Sequence, residues 1–293
     1  MFKSTSLTGI SKWAFVSIVV SFSTVLIFLF VSFAQRPMNA SASTTETWYA
    51  LASTAAKQEV NFVETPNGYR HLKSEEMNLI TSVNKNNQPF SVLIPKTREV
   101  WIAKDGSGRI HETEGKPIFL GERDRNRWQA AGSPSLGSAM DKDFAPNGLS
   151  FTDFSRLPTD PDALAAIILG EADNPSGPPV NVGMFVVLGD YLRQLGASRE
   201  LRSALFKVAA KIEGVESIGK VTDRLGRQGV ALAVTTDHWG GKQRLMLVFD
   251  PITSMLLEEQ KILLEPVGWL DAKPPVVIGY QTYLESTVVP KLP

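Results

Sequence analysis

The longest apolar stretch of the chain runs from Trp13 to Phe33, WAFVSIVVSFSTVLIFLFVSF, 21 residues without a charge. At about 1.5 Å per residue, a helix of that length matches a hydrocarbon core of about 30 Å. Lys3, Lys12 and the terminal amine lie on one side of it and Arg36 on the other. The positive-inside rule then makes residues 1–12 a cytoplasmic tail and 13–33 a transmembrane helix, and puts the remainder outside. Residues 34–45, AQRPMNASASTT, are small and polar and read as a linker. A cleaved signal peptide is the competing reading, because Ala40-Ser41-Ala42 has the small-x-small form of a cleavage site. Both readings put the domain beyond the linker, residues 46–293, outside the cytoplasm.

Past the linker, helical and strand periods alternate in blocks. Trp48, Leu51, Ala52 and Ala55 fall at helical spacing and predict a helix over 46–57. Short strands are expected at 60–63, around Phe90, Val92 and Ile94, and on both sides of the turn Asp105-Gly106-Ser107-Gly108 as a hairpin. Residues 123–130 read as a further strand and 131–150 as a loop. Thr159 or Asp160 can cap a helix that opens on Pro161 and runs through Ala163–Leu169. Helices are also expected over 182–195 and, capped by Ser198, over 199–212, with Gly214 as a stop. Strands follow at 215–221, 230–234, 245–249, 255–264 and 276–283, joined by short turns. Helices grouped between two β runs argue for an α+β domain, a curved antiparallel sheet packed against helices.

Charge and composition narrow the choices. Lys+Arg and Asp+Glu are both 30, and residues 1–36 hold three basic groups and no acidic one. The rest therefore carries 27 basic and 30 acidic groups, a net of −3, which argues against a nucleic-acid partner. There is no cysteine and hence no disulfide or thiolate chemistry. The sequence has no HExxH, GxSxG or GxxxxGK[ST]. No catalytic, cofactor-binding or metal-ligating residue is therefore expected. His111 with Glu112 and Glu114 would oppose each other across a strand, and the expected setting is an ordinary exposed strand. Asp141-Lys142-Asp143 has the D-x-D form inside the Pro/Gly-rich loop. On a strand Arg123, Arg125 and Arg127 would share a face suited to phosphate or an acidic partner, or to simple edge protection. Trp48, Trp101 and Trp128 are the candidate lining of a ligand cavity, with core packing as the plainer use.

Six segments together carry a family resemblance: Arg98–Ile102 before the Asp105–Gly108 turn, Leu157–Leu164, Leu201–Phe206, Gly214-Val215, Val221–Arg227 and Phe249–Thr253. In order and spacing they resemble the uncharacterised bacterial membrane-anchored proteins often encoded beside extracytoplasmic-function sigma factors. One departure is Ser254, where that family usually has Gly after the Thr. The resemblance implies a cell-envelope protein and supplies no catalytic residue. More distantly, a helix followed by strands with a Trp-containing hairpin is similar to the half-barrel of LolA- and RseB-type periplasmic proteins, which bind lipidated or hydrophobic ligands or sense envelope stress. The expectation is a single-pass, membrane-anchored, non-enzymatic protein that binds, senses or regulates, with an envelope protein or lipid as partner. The alternative is a LolA-like carrier of a lipid or other hydrophobic ligand.

Overall fold

The computed structural model describes residues 43–58, 68–137, 140–149 and 152–293. The expected transmembrane helix at 13–33, the first part of the linker and the strand at 60–63 lie outside the described residues. Among the described residues no helix is long and apolar enough to cross a membrane.

The first helix, α1 (Thr44–Lys57), begins inside the expected linker because Ser43 and Glu46 form a capping box. The Glu46 amide donates to Ser43 Oγ at 3.2 Å and the Ser43 amide to Glu46 Oε2 at 2.8 Å. Four strands and one helix follow: β1 (Tyr69–Val83), β2 (Pro89–Ala103), β3 (Gly108–Glu114), α2 (Glu122–Ala130) and β4 (Met140–Phe144). The helical block is α3 (Pro161–Ala172), α4 (Val180–Arg193) and α5 (Arg199–Ala209). Asp160 caps α3 through the Ala163 amide at 2.9 Å, and Ser198 caps α5 through the Leu201 amide at 3.1 Å. The chain closes with β5 (Val215–Thr222), β6 (Gln228–Thr236), β7 (Gln243–Phe249), β8 (Leu256–Leu263) and β9 (Val276–Val289).

All nine described strands join one curved antiparallel sheet in the order β4-β3-β2-β1-β9-β8-β7-β6-β5. Two meanders, β1–β4 and β5–β9, thus meet where the last strand pairs with the first, Tyr69 opposite Val289. The alternation expected at 230–234 and 245–249 appears as facing pairs: Val230 with Phe249, Leu232 with Leu247, Val234 with Leu245. These residues point at the helices. Trp48 of α1, Phe185 and Leu188 of α4 and Leu205 and Phe206 of α5 close over them in the main core. Fully burying side chains of this kind stabilises by about 1.5–3 kcal/mol each.

Two expectations change. Residues 123–130 are helix, not strand. Glu122 and Asp124 sit in the first turn and Arg127 in the last, as the helix dipole favours, and Arg125 pairs with Glu122 one turn back at 3.1 Å. The three arginines therefore diverge: Arg123 reaches Asp124, Arg125 lies over the Phe119 ring, and Arg127 donates to the Pro89 carbonyl at 2.8 Å. The expected loop at 131–150 contains β4, an edge strand blunted by Asp141, Lys142 and Asp143.

Candidate functional site

The three candidate tryptophans occupy three separate environments. Trp48 is in the main core between Phe206 and Phe249, ring centroids 6.0 and 5.8 Å away. Trp101 lies on the sheet face away from the helices, stacked on His71 at 4.7 Å. Trp128 of α2 packs on Phe119 in a second cluster with Phe90, Val92 and Ile94, and its indole donates to the Pro134 carbonyl at 3.1 Å.

What distinguishes the helix-covered face is polar. In an antiparallel sheet, paired residues share a face and successive residues alternate. Tracing the register across five adjacent strands gives one row: Glu114 (β3), Lys96 (β2), Glu76 (β1), Gln281 (β9) and Glu259 (β8). The next row is Glu112, Arg98, Ser74 and Tyr283. Nine polar side chains thus form a band on one face. At about 4.8 Å per strand it spans roughly 19 Å. Apolar packing lies on either side. Along β1 the same face runs from Leu72, packed on the main core, through Ser74 and Glu76 to Ile80, packed on the Trp128 cluster.

The band is buried. Relative exposure is 3% at Glu112, 5% at Glu114, 4% at Lys96 and 5% at Glu76. Arg98 pairs with Glu112 Oε1 at 3.0 Å. Ser74 Oγ donates to Glu76 Oε1 at 2.9 Å, and Gln281 Nε2 donates to the same oxygen at 3.1 Å. At the other end α4 contributes Arg193, which grips both oxygens of Glu259 at 2.9 Å and also pairs with Asp190 at 2.8 Å. Tyr283 donates its hydroxyl to Glu259.

Burial governs the electrostatics. It pushes the Glu112 and Glu114 carboxyls up, against the pull of Arg98 and Lys96 on the first and of Lys96 on the second. It holds the Lys96 ammonium down despite Glu112, Glu76 and Glu114 around it. The Tyr283 phenol is raised by burial and then by Glu259. Buried charges are costly to keep in a fold, and perturbed groups gathered on one face mark a candidate site. On the sheet the band sets four carboxylates against two cations, with Arg193 as a third cation from the helix. The band is an array of fixed donors and acceptors. Among the described residues no group of three or more His, Asp or Glu is arranged to hold a metal ion.

Sequence reasoning passed over most of this band. Glu112 and Glu114 do point away from His111, as expected, but into the protein and not to solvent. His111 instead lies near Asp141 of the edge strand at 3.6 Å. The available signal was the glutamate repeat at 112 and 114 opposite the basic repeat at 96 and 98.

No family model matches the chain, and no curated protein matches it in sequence.

Proposed function

We propose that this is a membrane-anchored, non-enzymatic protein of the cell envelope that binds or senses a polar ligand or partner through the band. The observation that carries the reading is the nine-residue polar band across β3, β2, β1, β9 and β8, held between two apolar packs. Buried ion pairs contribute little net stability, so recognition is a better reason to keep them than stability. The uncharged run at 13–33 supports the anchor, with residues 1–12 inside and the domain outside. The resemblance to sigma-factor neighbours suggests that the signal passes to another membrane protein. The carrier reading needs a shared apolar cavity, and Trp48, Trp101 and Trp128 lie apart.

The test is purification of the full-length chain in mild detergent, followed by protein and lipid mass spectrometry of what co-elutes. We expect an envelope or membrane protein or a polar ligand, lost from Arg98→Met. Stoichiometric lipid would favour the carrier. Turnover of any substrate abolished by a single band substitution would overturn the non-enzymatic reading. Protease added to intact spheroplasts should remove the domain, and its full protection would refute the topology.

A further inference from the structure

The row beside the band carries a cation without a counter-charge. In register it runs Ile94 (β2), Asn78 (β1), Gly279 (β9), Lys261 (β8) and Leu245 (β7), on the helix-covered face. Ile94 and Leu245 are buried, as an inner row of the sheet requires, whereas Lys261 is exposed. Among the described residues Lys261 has no ion pair and no hydrogen bond, and Nζ lies over the Trp239 ring, 5.5 Å from its centroid. Glu259, two residues back on the same face, is already held by Arg193 through both oxygens and by Tyr283. An indole face attracts an ammonium but gives its N–H groups no strong acceptor.

The surroundings define the space. Burial alone lowers the Lys261 ammonium below the ordinary lysine range, although solvent reaches the side chain. A group that water touches and protein still crowds stands in a recess and not on a convex surface. Gly279, directly opposite, brings no side chain into that recess. A Cβ there would meet only the Met77 carbonyl oxygen at 3.3 Å and Lys261 Cβ at 3.7 Å. Asn78, half-buried beyond Gly279 on the same face, can add an amide donor. The rim is apolar. Trp239, 38% exposed, projects from the β6–β7 turn, and the Trp269 indole fixes that turn by donating to the Gly240 carbonyl at 2.9 Å. Gly241 closes on Val267, where a Cβ would lie 2.6 Å from Cγ1.

We propose that this recess binds an organic carboxylate with an apolar body, its carboxylate accepting from Lys261 Nζ above Gly279 and its body lying along the Trp239 indole. The site adjoins the polar band and stands apart from it, since no band residue supplies its charge. Lys261 is a point charge, and Arg193 on the same face is occupied by Glu259 and Asp190, so the recess suits a monoanion better than a phosphate. A carboxylate supplies the missing acceptor and the missing charge together.

The probe is 4-phenylbutanoate, titrated calorimetrically into the full chain in a nonionic detergent at neutral pH, with empty micelles as the blank. Its alcohol, 4-phenylbutan-1-ol, tests the charge, and butanoate tests the apolar body. We expect saturable one-to-one binding of 4-phenylbutanoate, tighter than either control. It should weaken about ten-fold or more in Lys261→Met, the loss of one charge-assisted hydrogen bond. Should Lys261→Met fail to fold, Trp239→Ala carries the test, with an expected weakening of about three-fold or more. Absence of saturable binding, equal binding of the alcohol, or undiminished binding to the variant would overturn the proposal. If 4-phenylbutanoate fails to bind while Arg98→Met still strips a co-purifying partner, only the Lys261 site is wrong and the band keeps its reading.

Discussion

Ser254 has a left-handed backbone, φ 58°, and its buried hydroxyl has no hydrogen-bond partner. Its amide donates to the Asp250 carbonyl at 2.8 Å, and its own carbonyl accepts from the buried Arg202 guanidinium at 2.7 Å. A glycine adopts this backbone freely. In Ser254→Gly, relief of the strain and removal of the orphaned hydroxyl should outweigh the extra chain entropy of glycine. We expect a gain on the order of 1 kcal/mol, read as a rise in thermal midpoint of about 2–4 °C. The band makes a second prediction at this scale. The folded-state pKa of Glu114 is raised above its ordinary 4.5 by burial first and then by Glu112. A raised carboxyl favours the fold fully below pH 4.5, and that contribution is lost as pH rises through the folded value. Glu114→Gln mimics the protonated form and cannot lose it. Urea unfolding should therefore show the variant gaining on the wild type from pH 4 to pH 8, and a difference that shrinks as pH rises would refute the assignment.

At the scale of elements, helices and outer strands were legible because each presents one consistent face. Trp48, Leu51, Ala52 and Ala55 all point into the core, and so do Leu232, Val234, Leu245 and Leu247. The 15-residue β1 was not legible. Its helix-covered face reads Leu72, Ser74, Glu76, Asn78, Ile80, and the opposite face mixes Lys73 and Glu75 with Met77 and Leu79. A strand crossing a polar band loses the alternation that identifies strands, so what hid the element is the candidate site itself. The misreading of α2 has a different cause. Gly121 precedes it without a side-chain cap, and the alternating Arg123, Arg125 and Arg127 mimic a strand period. Its position depends on a reciprocal clasp. The Asp271 amide donates to Asp124 Oδ2 at 2.8 Å, and the Arg123 amide donates to Asp271 Oδ2 at 2.9 Å. Asp124 is fully buried, so Asp124→Ala removes the acceptor and orphans the Asp271 amide. We expect a cost of about 3 kcal/mol. Amide exchange should accelerate first over 122–137, and uniform acceleration across the domain would place the clasp elsewhere.

At the scale of the molecule, the order of strands makes the C-terminus decisive. β9 lies between β8 and β1 and is the sole joint among the described strands between the two meanders. It brings residue 289 beside residue 69, across almost the whole domain. Such pairings pay loop-closure entropy before they return contacts and form late. β9 also completes the band: Gln281 holds Glu76 from one side, and Tyr283 meets Glu259 while it packs in the main core. Without β9, β1 and β8 become exposed edges, Glu76 loses a donor, and β1–β4 lose their strand pairing to the strands under the helices. A chain ending at residue 275 should therefore fail to assemble the sheet, although all five helices and eight of the nine strands are present in its sequence. Limited proteolysis should cut the truncated chain throughout β1–β4, where the intact protein resists. If the truncated chain gives the wild-type digestion pattern and a cooperative thermal transition, the meanders are independent and β9 is not the joint. The same experiment bears on the band, because residues from five strands can act as one site only after the last strand is in place.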